Sequence, residues 1–198
     1  MESDFDVTEL NKVEMLGSGG YGNVWKVQHG TIFVAVKICE HSDEEDVAKE
    51  AKILSRLRHP NIVAYLGLSK DQDAIMLEYV GYEIENNKSL HSLRDFLAYV
   101  GRMEDIGDHK VTIPFIASEV LKGLAYLHSQ GLAHRDLKPA NVLVGKMDAV
   151  VVKLTDFGES WANLLENTVR THTMNPFKGL YNSPNVTITY FILHIKFD

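Results

Sequence analysis

The sequence predicts an α+β protein of two lobes, strand-rich in its first third and helical after that. Three observations carry this reading. Apolar residues alternate with period two in the early part of the chain, later ones recur every three to four residues, and a polar loop with one glycine separates the two regimes. The boundaries that follow are 1–80 for the first lobe, 81–88 for a hinge and 89–198 for the second lobe.

Val13 and Met15, then Val24, Trp25 and Val27, read as two strands flanking a glycine cluster. Ile32, Val34, Val36 and Ile38 alternate as in a half-buried strand, and His29-Gly30 reads as the turn before it. Ser42-Asp43-Glu44-Glu45 has capping-box spacing, with Ser42 as N-cap. Val47, Ala51 and Leu54 then follow on one helical face until His59-Pro60-Asn61, where the residue before proline is pushed out of the helical region. Strand-like segments return at 62–67 and 74–80.

Beyond the loop, Leu90, Leu93, Leu97 and Val100 fit one helix face, and Ile113, Ile116, Val120, Leu124 and Leu127 fit another. Pro114 is expected in the first turn of the second of these helices, where its missing N–H is tolerated, and Gly131 as its C-cap. Two short strands, 142–144 and 150–154, are joined by Gly145-Lys146-Met147-Asp148.

Charge and cysteine content narrow the function. Twenty Lys and Arg against 27 Asp and Glu leave a formal charge of −7 over 198 residues, which gives no electrostatic footprint for nucleic acid or anionic lipid. Cys39 is the one cysteine, so no intramolecular disulfide is possible. With the acidic start Met1-Glu2-Ser3-Asp4 and no basic-then-apolar leader, this points to a soluble, cytoplasmic protein. No segment approaches the roughly 18 apolar residues of a membrane helix. The nine histidines show no metal-ligand spacing, so no zinc is expected.

The chemistry is concentrated in four segments. Gly17-Ser18-Gly19-Gly20-Tyr21-Gly22 matches G-x-G-x-x-G. A plain glycine-rich turn is one reading, and a dinucleotide-binding turn is another, but the latter needs a helix directly after the last glycine. Asn23 to Val27 is β-rich instead, so the glycines lie in a hairpin whose backbone N–H groups can fold over phosphates. Lys37 sits inside an apolar strand, either as an edge-strand gatekeeper or as the partner of Glu50, an inward-facing carboxylate thirteen residues on. Within His134-Arg135-Asp136-Leu137-Lys138-Pro139-Ala140-Asn141, Asp136 can orient a hydroxyl and Lys138 can neutralise charge on a phosphoryl group. Asn141, with Asp156 of Thr155-Asp156-Phe157-Gly158, supplies hard oxygen ligands for magnesium.

Taken in order, the glycine loop, V-A-V-K, the helix glutamate, H-R-D-L-K-P-A-N and D-F-G resemble the eukaryotic protein kinase family over about residues 9–160. The resemblance implies a two-lobed kinase-like fold, its β-rich N-lobe complete, with Mg²⁺ and ATP held between the lobes. Gly17, Gly19 and Gly22 would cover the phosphates, and Lys37, held by Glu50, would bind them. Val24 and Ala35 would lie above the adenine and Leu143 below it. Glu78 and Val80 fall in the segment that would hydrogen-bond adenine, with Leu77 at the gatekeeper position. Asp136 and Lys138 would be catalytic, and Asn141 and Asp156 would hold the metal. The K-P-A-N ending resembles serine/threonine kinases, which implies transfer of the γ-phosphate to a Ser or Thr of a protein substrate. His134 and Phe157 would be packing residues. Arg135 would receive an activating phosphate on Ser160, Thr168, Thr171 or Thr173, unless these are solvated loop hydroxyls.

The resemblance weakens after Asp156. Phe177-Lys178-Gly179 is similar to the approach to the family's A-P-E ending, but Asn185 stands where a glutamate belongs, and Val186 to Asp198 has no counterpart. The helical C-lobe is therefore expected to be incomplete, with the Ile113–Leu127 stripe short of packing and open to a partner. On that ground the alternative to an active kinase is a truncated, catalytically inactive fragment that binds a nucleotide or a partner.

Overall fold

The computed structural model describes residues 5–19, 22–39, 44–71, 73–84, 88–102, 109–146 and 149–162. The chain divides into two compact units, Met1–Val80 and Gly81–Asp198.

The first unit is built on an antiparallel sheet of β1 (Asn11–Gly19), β2 (Gly22–His29), β3 (Ile32–Ile38), β4 (Tyr65–Leu68) and β5 (Ala74–Glu78), in the order β1-β2-β3-β5-β4. Gly30 makes the β2–β3 turn at a φ of 59°, a left-handed conformation that suits glycine. The pairing register assigns the two faces. Val27, Val34, Val36, Ile38, Ala74 and Met76 form a buried core with Phe5, and Trp25, Val7, Leu10 and Leu66 pack against it. Val24 opposite Lys37, and Ala35 opposite both Lys26 and Leu77, lie on the other face.

The alternation in β3 marks the strand correctly but not its burial. Ile32 is 57% exposed at the turn, while Ala35, on the face expected to be open, is buried. β3 is the central strand, so its middle is covered on both sides.

Helix α1 (Glu44–Leu54) directs Val47, Ala51 and Leu54 inward. Ser42, the expected N-cap, lies outside the described residues. The helix ends five residues before His59. Ser55 N donates to Ala51 O at 2.8 Å, and then Arg56 N and Leu57 N donate to Ile53 O and Leu54 O at 3.2 and 3.1 Å. This tightening uses up the last carbonyls before the proline can act.

In the second unit β6 (Tyr82–Ile84) pairs with β7 (Lys88–Leu90), so part of the expected hinge is one arm of a hairpin. Helix α2 (Leu93–Val100) is capped by Ser92, whose Oγ accepts from Asp95 N. It buries Leu93, Phe96 and Val100. Helix α3 (His109–Ser129) begins earlier than expected and places Pro114 beyond its first turn, on the exposed side. Nothing in His109-Lys110-Val111-Thr112 stops a helix, and a proline there costs one backbone bond rather than the element. Gly131 terminates α3 at a φ of 70°, its N–H donated to His128 O.

Ile116, Val120, Leu124 and Leu127 are buried, with α3 packed on β8 (Leu132–Ala133) and β10 (Val150–Leu154). The expectation that this stripe lacks a covering surface is therefore corrected: this chain's own strands cover it. β10 pairs with β9 (Val142–Lys146), and β8 with β11 (Trp161–Ala162). The expectations placed on Thr168, Thr171, Thr173 and residues 177–198 lie outside the described residues. No helix among the described residues is long and apolar enough to cross a membrane.

Candidate active site

The first unit supplies a buried ion pair. Lys37 Nζ lies 2.7 Å from Glu50 Oε2, with the side chains 12% and 5% exposed. Lys37 is on the central strand, so the edge-gatekeeper reading does not apply. Each charge offsets the desolvation of the other, and the lysine is held in one place.

The glycines of the loop differ from one another. Gly22 has a φ of 122°, and a Cβ there would run into Ile38 O and come within 2.9 Å of Cys39 Cα. The chain's own packing requires that glycine. A Cβ on Gly17 or Gly19 would meet nothing within 4 Å. Those two positions have the open backbone a ligand could approach. Gly22→Ala is expected to destabilise the chain by about 2–4 kcal/mol in urea melts. Gly17→Ala and Gly19→Ala are expected to stay within about 0.5 kcal/mol and to act on the KM for ATP instead.

Glu78 has a structural task the sequence did not disclose. Its Oε1 accepts from Ala64 N at 2.6 Å, and its own N–H donates to Ala64 O at 2.9 Å. The side chain anchors the end of β5. Leu77 and Val80, its neighbours in the expected adenine segment, are buried.

In the second unit the segment after β8 gathers three predicted residues. Asp136 Oδ2 accepts from Lys138 Nζ at 2.7 Å and from Asn141 Nδ2 at 2.9 Å. Asn141 Nδ2 also donates to the Asp136 carbonyl at 2.8 Å. A short 3₁₀ turn, Pro139–Asn141, closed by Asn141 N on Lys138 O, brings the asparagine back to the aspartate. Asn141 thus directs its amino group at Asp136, and its amide oxygen is the end suited to a cation. Thr155 N donates to Asn141 O at 3.1 Å, which ties the chain just before Asp156 to the same loop. Leu143 is half-buried on β9 and bridges to Ser92.

Arg135 and Asp156 both have left-handed backbones, with φ of 66° and 64°. Such conformations cost on the order of 1–3 kcal/mol each and persist only where surroundings impose them. His134, adjacent to Arg135, packs against the residues on either side of Asp156. It is buried, its Nε2 is 2.9 Å from Thr155 O, and its ring lies 5.1 Å from that of buried Phe157. Ser160 Oγ donates to the His134 carbonyl at 3.1 Å. Ser160 is 1% exposed, so it is removed as a candidate phosphosite.

Burial holds His134 below the ordinary histidine value, outweighing the Thr155 carbonyl and the Asp156 and Asp136 charges, which act the other way. The neutral ring therefore belongs to the folded state. Its contribution to stability is complete above about pH 6.5 and declines as the pH falls below that, because the unfolded chain takes a proton that the native one refuses. The expected slope is at most about 1.4 kcal/mol per pH unit. Urea melts at pH 7.5 and 5.5 should show His134→Gln losing this slope while wild type keeps it.

The chain belongs to the protein kinase domain family, which it matches over residues 10–191. It is 37% identical over 160 residues to the serine/threonine-protein kinase pakG of Dictyostelium discoideum, covering 79% of this chain and 12% of that protein. It is 34% identical over 173 residues to the human mitogen-activated protein kinase kinase kinase kinase 3, with 81% and 18% covered. It is 38% identical over 170 residues to the MAP3K epsilon protein kinase 1 of Arabidopsis thaliana, with 80% and 11% covered. The chain thus spans less than a fifth of the length of these relatives.

Proposed function

We propose that the chain transfers the γ-phosphate of Mg-ATP to a serine or threonine hydroxyl of a protein substrate. The carrying observation is the hydrogen-bond set on Asp136 Oδ2, which fixes an aspartate, a lysine and an asparagine in one loop. The family membership and the serine/threonine kinases among its relatives support the same reading.

In this reading Asp136 orients the acceptor hydroxyl and takes its proton. Lys138, on the same oxygen of Asp136, shares the charge that develops on the moving phosphoryl group. Lys37, fixed by Glu50, binds the α- and β-phosphates, and the backbone at Gly17, Gly19 and Gly22 covers them. Val24, Ala35 and Leu143 contact the adenine, while the backbone of Glu78 and Val80 recognises its edge. Asn141 and Asp156 would hold Mg²⁺, since an amide oxygen and a carboxylate are the hard donors it takes. When bound, the metal supplies neutralisation of phosphate oxygens. Protein positioning and charge stabilisation are the larger part of such catalysis. The single cysteine fits a reducing, intracellular setting.

The test is transfer of label from γ-labelled ATP to a mixture of protein acceptors, followed by phosphoamino-acid analysis. Phosphoserine and phosphothreonine are the expected products. Melting with and without Mg-ATP is run beside it, because a ligand that binds only the folded state raises the midpoint. A raised midpoint without transfer assigns a nucleotide-binding module instead. The absence of both transfer and a raised midpoint refutes the proposal.

A further inference from the structure

We infer that Lys26 is a positioning residue for the adenine segment, acting as a cationic clamp between the rings of Phe33 and Tyr79. This rests on the nucleotide reading above and adds a residue that none of the motifs contains. Lys26 Nζ lies 4.4 Å from the centroid of the Phe33 ring and 4.4 Å from that of Tyr79. The two rings meet edge to face, 6.3 Å apart at 63°. A cation shared by two aromatic faces is attracted by both ring quadrupoles.

The placement gives the cluster its role. Lys26 is two residues beyond Val24 on β2, and Phe33 is two before Ala35 on β3, so both share the face that carries Val24, Ala35 and Lys37. Tyr79 lies between Glu78 and Val80, directly after β5. Three separate pieces of chain thus meet at one ammonium group. Glu78 is already fixed on its β4 side by the two hydrogen bonds to Ala64. Lys26 fixes the next residue from the opposite side, the β2–β3 side. The backbone of residues 78–80 is therefore held on both flanks, as an edge that must present a carbonyl and an N–H in fixed register requires. A phosphate-binding role for the ammonium is disfavoured, since it is already placed against two rings.

The experiment uses the 198-residue chain and two probes, Mg-ATP and Mg-tripolyphosphate, the second having phosphates but no adenine. Lys26→Met removes the charge and keeps the length. It should weaken Mg-ATP binding about threefold to tenfold and leave tripolyphosphate within about twofold. Lys26→Arg should restore Mg-ATP binding, because a guanidinium stacks on the same rings. Phe33→Leu, at the outer ring, serves as a second variant should Lys26→Met fail to fold, and should reproduce the selective loss. In kinetics the change should fall on the KM for ATP and not on kcat. Unchanged Mg-ATP affinity in folded Lys26→Met and Phe33→Leu overturns the clamp while leaving the kinase reading intact. Equal loss for both probes also overturns it, since Lys26 would then act as a phosphate-attracting charge. Wild-type chain that binds neither probe overturns both readings.

Discussion

Replacing Lys37 with methionine is expected to abolish phosphoryl transfer and to destabilise the chain at the same time. The substitution leaves Glu50 buried without the cation 2.7 Å away. Removing one member of a buried pair typically costs about 3–5 kcal/mol, and burial of both partners means solvent does not screen the loss. A loss of activity in this variant alone would therefore be ambiguous between chemistry and folding. The double variant Lys37→Met, Glu50→Leu separates the two. With both charges gone and the volume filled by apolar groups, most of the stability should return, since such replacements are often neutral. Transfer should not return, because nothing else on that face of β3 replaces the ammonium. Urea unfolding and labelled-phosphate transfer on the three proteins decide it. A double variant that regains transfer would reduce the pair to a packing device.

Asp136→Ala is expected to lower kcat by about 10²- to 10⁴-fold, with the KM for ATP little changed. Here stability should hardly move. Lys138 is half-exposed and can return to water, and Asn141 keeps its bond to the Asp136 backbone carbonyl, which the substitution leaves in place. The change in unfolding free energy should therefore stay within about 1 kcal/mol. Steady-state rates at saturating acceptor give the answer, and a kcat within tenfold of wild type would exclude Asp136 as the base.

The elements whose residues repeat locally were legible in the sequence. β3 and the buried stripe of α3 follow from periodicity, and Gly131 from the need for a left-handed residue at a helix end. The ion pair was legible for a different reason. Lys37 and Glu50 are each improbable where they stand, and one contact explains both.

What escaped depends on chain that lies elsewhere. The burial of Ala35 comes from a neighbouring strand, β5, some forty residues on. The cover for α3 comes from β8 and β10, which the sequence shows only as short apolar runs. The anchoring of Glu78 to Ala64, the interior position of Ser160 and the rings around Lys26 are all pairings between segments that no local pattern announces. Left-handed backbones at Arg135 and Asp156 have no compositional mark, since neither is glycine.

The hydrogen bonds of His134 have a consequence for how the protein is made. Its partners Thr155 and Ser160 follow it by 21 and 26 residues. A growing polypeptide therefore carries Asp136, Lys138 and Asn141 before the residues that hold their loop have been added. The segment His134 to Asn141 is thus chemically complete on the nascent chain before the residues that give it its working shape exist.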